Sequence, residues 1–395
     1  MEKKLHVGSS VLYRYKDLNY RLWYAIAELV DNASQSYIEN KKVLDSRNEA
    51  FEVKIGFENG EELVIHDNAY GMDEKDIDGL LELGKTKEKS SSGVQRSEFG
   101  MGLKTGGFWL GSKIEVHTKK HNSPKGFHFI LDIDAIASGK PIVFNENTQH
   151  NSGVSFTNIK ITGHHKTFSS YDISQTKKVL SSIYNKDIEE GKMIIKWKNT
   201  PLEPYKRSVY EIDGRKLKWD LDFDINGKRV TGFVALLKQY EPGRNDGSGR
   251  VNAGFSVGRN GRNVQCFPKW YKPTSVYGQD DGSNDRVNQR IFGHLEFDNQ
   301  FGVSHTKDML IFSGDEEEIL HKKLASLCAE AKHMCDNGGL YSRGSKKKGL
   351  SKISKDETKS KLNTPEMEEI ISGGLEFLDD DEATDDANSY VNDIT

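Results

Sequence analysis

Four glycines fall within the ten residues EFGMGLKTGG, Glu98 to Gly107, and the chain continues as FWLGSKIEVHTKK, where spacing turns from helical to alternating. Gly100 and Gly102 allow backbone N–H groups to approach an anion. Leu103 to Leu110 reads as a helix whose N-terminus adds favourable dipole charge, and Lys104 supplies a mobile cation. This is phosphate-cradle chemistry, although the spacing is neither the P-loop nor the dinucleotide fingerprint. The preceding stretch GKTKEKSSSGVQRSE, residues 84–98, has Val94 as its single apolar residue. It reads as a surface loop, either a functional lid or plain disorder.

Upstream, Leu22, Ile26, Leu29, Ala33 and Tyr37 recur at steps of three and four, the core face of an amphipathic helix between Asn19 and Asn40. At about 100° per residue, Glu28, Asp31, Asn32 and Gln35 share a second stripe, with Glu28 and Asn32 one turn apart. A carboxylate and an amide so placed reach the same small object. The alternative is a solvated face.

FEVKIGF and EELVIHD alternate around Glu58-Asn59-Gly60, a strong hairpin signal. The second strand runs into HDNAYGMDEKDIDGLLELG, where Asp67 meets a glycine-containing turn and Asp73 with Asp76 resembles a helix-capping pattern. Gly71 marks a position that a side chain would obstruct, although D-x-x-x-G alone is common in loops.

A chain of 395 residues is long for one core, so two domains and a tail are expected. Cys266, Cys328 and Cys335 show no C-x-x-C spacing or disulfide framework, which suits a reducing compartment and gives no reason to expect a structural zinc. The start MEKKLHVGSS has no apolar core of a leader and no run is long enough to cross a bilayer, so a soluble, cytoplasmic protein without membrane association is expected.

In combination and order, ELVDNASQS, IHDNAYGMD and FGMGLKTGG resemble the three nucleotide-binding boxes of the GHKL ATPases, the superfamily of gyrase B, Hsp90, histidine kinases and MutL. The wording FGMGLKTGGFWLGSKIEVHTK is most similar to short prokaryotic MORC-type ATPases. The resemblance implies an α+β architecture: a Bergerat-fold ATP-binding domain over residues 1–166, a mixed or antiparallel sheet with helices on one face and a lid at 84–98. An S5-like α/β transducer domain over 167–337 and a disordered basic-then-acidic tail over 338–395 would follow.

It also implies roles. Glu28 would be the general base that activates water, and Asn32 the Mg²⁺ ligand. Asp67 would accept the adenine amino group, with Gly71 and Met72 passing the base edge. Gly100, Met101, Gly102, Leu103 and Lys104 would hold the phosphates. Two departures stand out. Ala69 replaces the first glycine of the D-x-G-x-G adenine box, and SGVSFTNIKI lacks the usual G-T pair, leaving Ser155 or Thr157 as its threonine equivalent. The cofactors implied are ATP and Mg²⁺, and the presence of Glu28 favours hydrolysis, with slow turnover, over phosphotransfer.

After Lys166 the texture becomes strands, KMIIKWK, KRVTGFVALLKQ, NAGFSVGRNGRNVQCF and QRIFGHLEFDN, with helices over Tyr171 to Lys186 and Glu316 to Cys335. By the resemblance, Lys307 in FGVSHTKDML is the transducer lysine that reaches the γ-phosphate; otherwise it is a surface lysine. Arg259 and Arg262 flank a hairpin turn, where they either meet phosphate backbones or are solvated. CFPKWYKP suits nucleic acid or an aromatic core patch with a basic rim. The tail, basic around Lys346, Lys347 and Lys348 and then acidic, either holds DNA by a salt-dependent term or only solubilises. The expected function is an ATP-dependent homodimeric switch, a MORC-type DNA clamp or compactor with a possible place in anti-phage defence; the alternative is an Hsp90-like chaperone acting on protein.

Overall fold

The computed structural model describes residues 9–59, 61–81, 96, 102–147, 153–238, 249–278, 286–304 and 306–337. The helical stripe of the sequence forms α1 (Leu22–Glu39), followed by the short α2 (Lys41–Asp45). The two alternating runs form β1 (Glu52–Glu58) and β2 (Glu62–Asp67), antiparallel, with Val53 opposite Asp67. α3 (Glu74–Leu81) begins where Asp73 and Asp76 each donate a backbone N–H to the other's carboxylate at 3.1 Å, the expected capping exchange.

The glycine-rich run enters α4 (Gly102–Leu110), which passes directly into β3 (Gly111–Lys119). β4 (Gly126–Asp132), α5 (Ile133–Ala137), β5 (Phe144–Asn147) and β6 (Phe156–His164) follow. α6 (Ser170–Ile183) is capped by Ser169 and Asp172, and α7 (Asn185–Glu189) leads to β7 (Ile194–Trp197) and β8 (Thr200–Pro201).

These eight strands form one mixed sheet in the order β5-β4-β3-β6-β2-β1-β7-β8. β7 lies parallel to β1, with Glu52 opposite Ile194, so this sheet runs past the boundary at 166 expected from the sequence texture. Alternate residues, among them Val53, Ile55, Leu63, Ile65, Ile114, Val116, Ile159, Ile161 and Ile195, are buried in the same core as Ile26 and Leu29 of α1 and Leu180 of α6. Each such side chain stabilises the layer by about 1.5–3 kcal/mol. Helices on one face of a mixed sheet are the expected α+β arrangement.

A ribbon of β9 (Glu211–Ile212) and β10 (Arg215–Lys216) precedes a second sheet. That sheet contains β11 (Lys218–Ile225), β12 (Lys228–Leu236), β13 (Gly254–Arg259), β14 (Arg262–Gln265) and β15 (Ile291–Phe297), in the order β11-β12-β15-β13-β14. Asn260 and Gly261, with φ of 57° and 73°, make the β13–β14 turn that the GRNGRN run announces. α8 (Thr274–Tyr277) and α9 (Arg286–Arg290) precede β15. A last ribbon, β16 (Gly302–Val303) with β17 (Leu310–Ile311), leads to α10 (Glu316–Leu327) and α11 (Ala329–Asn337).

The elements from α1 to α10 all belong to one compact unit, Met1–Asp336. The tail with Lys346, Lys347 and Lys348 lies outside the described residues, as do Gly100, Met101 and all of the expected lid except Arg96. No helix among the described residues is long and apolar enough to cross a membrane.

Candidate active site

The second stripe of α1 is no solvated face. Glu28 is 9% exposed, Asp31 0% and Gln35 2%, with Asn32 half-buried beside them. The cover comes from far along the chain. Lys307 Nζ donates to Glu28 Oε2 at 3.0 Å and to Asp31 Oδ2 at 2.8 Å. Asp31 Oδ1 accepts from Arg262 Nε at 2.8 Å and from the Tyr184 hydroxyl at 2.8 Å. Arg262 in turn donates to the Lys307 carbonyl at 3.2 Å, which fixes the lysine's own loop.

Two carboxylates thus face two cations in a dry setting, where an unmatched charge would be costly. Burial alone would raise the pKa of Asp31, but Arg262 and Lys307 outweigh it and hold it down at about 2. Burial likewise disfavours the Lys307 ammonium, and Asp31 followed by Glu28 outweighs that, raising its pKa. Both readings of Arg262 from sequence need correction. At 4% exposure, with its Nε on Asp31, it is neither solvated nor placed against a phosphate backbone.

Lys307 holds φ at 52°, a left-handed conformation that among the described residues is otherwise taken by glycine, Asn, Asp and Lys198. Its N–H donates to the Ser304 carbonyl at 2.9 Å, and the Asp308 side chain accepts from Ser304 Oγ at 2.7 Å. The turn is therefore braced around the lysine. Arg96 closes the other end of the stripe. Its guanidinium pairs with Asp187 through both carboxylate oxygens and donates to Ser34 Oγ at 2.8 Å and the Asn260 carbonyl at 3.0 Å. Its N–H donates to Gln35 Oε1 at 2.6 Å.

Gly102 opens α4 directly beside this group. A Cβ at Gly102 would lie 2.8 Å from Glu28 Oε2 and 3.4 Å from Asn32 Nδ2. Leu103 and Lys104, in the same first turn, are buried. The backbone at the head of α4 therefore lies against the carboxylate and amide of α1, and a side chain at position 102 would fill the gap between them. Helix N-terminal N–H groups, a carboxylate and an amide suit a phosphate-bound divalent ion with its water.

A second group gathers at the end of β2. Asp67, 6% exposed, accepts from the Ala69 N–H at 3.0 Å. Burial pushes its pKa up to about 7 against the opposing effect of that bond. Such a carboxyl gains from any added N–H donor. Thr157 stands directly opposite Asp67 in the β2–β6 register, and its hydroxyl lies 3.1 Å from Thr118 Oγ1, which accepts from the Met72 N–H at 3.0 Å. Ser155 instead donates to the Ala69 carbonyl at 2.5 Å and accepts from Arg47 at 2.7 Å. Geometry thus favours Thr157 as the residue beside Asp67.

Gly71 has φ of 71°, and a Cβ there would come within 1.9 Å of the Lys119 carbonyl oxygen. Only glycine fits. Ala69 is absent from the positive-φ residues, so its backbone accepts a side chain and the departure from the glycine pattern needs no distortion. Tyr70 N–H donates to Ser36 Oγ at 3.3 Å, tying this turn to α1.

The structure therefore joins Glu28, Asn32, Gly102 and Lys307 in one group and Asp67, Met72 and Thr157 in another. Arg96 and Tyr184 were not singled out from the sequence, and neither was the pairing of Asp31 with Lys307 and Arg262. The signal available was Asp31 itself, a carboxylate inside a stripe that had to be buried if Glu28 and Asn32 were to face a ligand. CFPKWYKP follows its core reading: Phe267 is buried, stacked on Tyr205 at 5.0 Å, with Lys269 on the exposed rim.

Comparison with known proteins matches residues 20–167 to the family described as histidine kinase-, DNA gyrase B-, and HSP90-like ATPase. ATPase MORC2B of Mus musculus is 30% identical over 102 residues, 26% of this chain and 9% of the relative. ATPase MORC2 of Homo sapiens shows the same identity and shares. The matched region is thus less than a tenth of these relatives' length.

Proposed function

We propose, from the membership of residues 20–167 in the histidine kinase-, gyrase B- and HSP90-like ATPase family with MORC-type relatives, that the chain is an ATP-hydrolysing conformational switch. The observation that carries this reading is the seat of Lys307, a residue of the second half, on Glu28 and Asp31 beside Gly102.

Glu28 acts as general base toward the attacking water, and Asn32 holds Mg²⁺ one helical turn away. The ion, when bound, neutralises charge on the phosphate oxygens. Asp67 and Thr157 receive the adenine edge, with Gly71 and Met72 behind it. Gly100, Met101, Gly102, Leu103 and Lys104 receive the phosphates at the head of α4.

Lys307 is the sensor. A γ-phosphate competes with Glu28 for its ammonium, so triphosphate draws the lysine's loop forward and leaves the carboxylate able to take a proton. A contact specific to triphosphate biases a two-state arrangement of the chain, in which ATP favours a homodimer and hydrolysis, with slow turnover, releases it. The second sheet with α10 serves as the S5-like transducer. The client is DNA, gripped as by a MORC-type clamp, which would suit a role in anti-phage defence.

The test loads Glu28→Ala protein onto DNA with ATP and Mg²⁺ and washes at high salt. Retention on circular but not linear molecules supports a clamp that encircles DNA. Loss from both, in protein that binds ATP, removes DNA as the client and leaves a protein client of the Hsp90 kind.

A further inference from the structure

The opposite, solvent-facing side of the first sheet carries a group that the nucleotide chemistry does not use. His117 of β3 and His128 of β4 are direct cross-strand partners, and Glu115 stands two residues before His117 on the same face. Both Nε2 atoms converge on one carboxylate oxygen: His117 Nε2 lies 3.2 Å and His128 Nε2 3.0 Å from Glu115 Oε1. The three ligand-capable atoms all lie within 4.8 Å of one another.

We propose that Glu115, His117 and His128 form a binding site for a divalent transition ion of the zinc type, independent of nucleotide. The geometry makes the argument. Ligand atoms about 2.0–2.1 Å from a tetrahedral zinc lie about 3.3 Å from each other, so the two Nε2–Oε1 edges of 3.2 and 3.0 Å are close to those around a shared ion. Two imidazoles and one carboxylate are also a ligand set that such ions take with a coordination position left over.

Glu115 and His117 also line a cavity of about 290 Å³, together with His66, Phe156, Asn158 and Lys160. On the neighbouring β6, Asn158 Oδ1 is buried without a hydrogen-bond partner among the described residues. Lys160, the nearby cation, is drawn toward Glu62, its Nζ 3.6 Å from Glu62 Oε1. The ligands keep partial exposure, 29% for Glu115, 48% for His117 and 27% for His128, so an ion reaches them without unfolding. Binding requires both Nε2 lone pairs, with the ring protons on Nδ1. The ion would tie β3 to β4 near the β5 edge of the sheet.

The experiment uses the full chain without an affinity tag or nucleotide, titrated with ZnCl₂ by calorimetry and with CoCl₂ by absorption. The expected result is one ion per chain, visible bands of four-coordinate Co²⁺ without a thiolate charge-transfer band, and a rise in Tm with Zn²⁺. His117→Gln/His128→Gln and, separately, Glu115→Gln lose the ion and the Tm rise, whereas Glu28→Gln keeps both. No uptake by the wild-type chain, a thiolate band, or uptake unchanged in the His117→Gln/His128→Gln protein overturns the proposal.

Discussion

Arg262 Nε lies 2.8 Å from Asp31 Oδ1, joining β14 to α1 across 231 positions of sequence in a fully buried setting. Removing one partner of such a pair leaves a dry, uncompensated charge. Asp31→Asn, which leaves Arg262 and Lys307 with Glu28 alone, should lower unfolding free energy by about 3–5 kcal/mol in urea titration at pH 7. Adding Arg262→Met should restore part of it. The pH sign follows from the depressed value of about 2. The Asp31 contribution is present above the unfolded carboxyl value and is lost as pH falls from about 4 toward 2. Asp31→Asn should be flatter across that window.

Asp67 titrates in the opposite sense. Its folded pKa is raised to about 7, so its effect on the fold is most favourable below the unfolded value and worsens as pH rises to 7. Asp67→Asn should escape this loss and melt above wild type at pH 8. In wild type, affinity for ATP should fall as pH drops below 7, by up to about tenfold per unit, because the adenine amino group needs the ionised carboxylate. Calorimetry between pH 6 and 8 checks this; Asp67→Asn should bind weakly with no such slope.

Two glycines with similar φ separate backbone strain from collision. Gly71 and Gly139 have φ of 71° and 77°, but a Cβ meets the Lys119 carbonyl only at Gly71 and nothing within 4 Å at Gly139. Gly139→Ala should cost about 1 kcal/mol. Gly71→Ala should cost more than about 2 kcal/mol and impair nucleotide binding, since β3 has to shift. Chemical denaturation of both proteins makes the comparison.

What the sequence made legible was local. The α1 stripe, the β1–β2 hairpin, the Asp73–Asp76 cap and the Asn260-Gly261 turn follow from periodicity and turn chemistry, which act over a few residues. That Glu28, Asn32 and Gly102 lie together was legible because ordered motifs name them. The parallel pairing of β7 with β1 was not, since IIKW has the same alternation in either sheet. Nor was the burial of Arg96, which lies in a run that is otherwise almost wholly polar and takes its partners from α1, α7 and the β13–β14 turn. Cysteine spacing, similarly, speaks to thiolate zinc sites and is silent on a Glu-His-His set formed across two strands.

Lys307, from the second half of the chain, sits on Glu28 at 3.0 Å, and in the proposed function it serves the chemistry there. Lys307 alone cannot be removed cleanly, because Asp31 would lose a counter-charge. Asp31→Asn/Lys307→Met removes one charge of each sign and keeps the buried group neutral. Single-turnover ATP hydrolysis by this protein, measured beside its ATP affinity, is the most direct measurement. Affinity should stay within a few-fold of wild type and the rate should fall by about 10²-fold, the usual effect of removing one stabiliser of transition-state charge. A folded double variant that hydrolyses ATP at the wild-type rate would contradict that role and leave Lys307 a purely structural counter-ion.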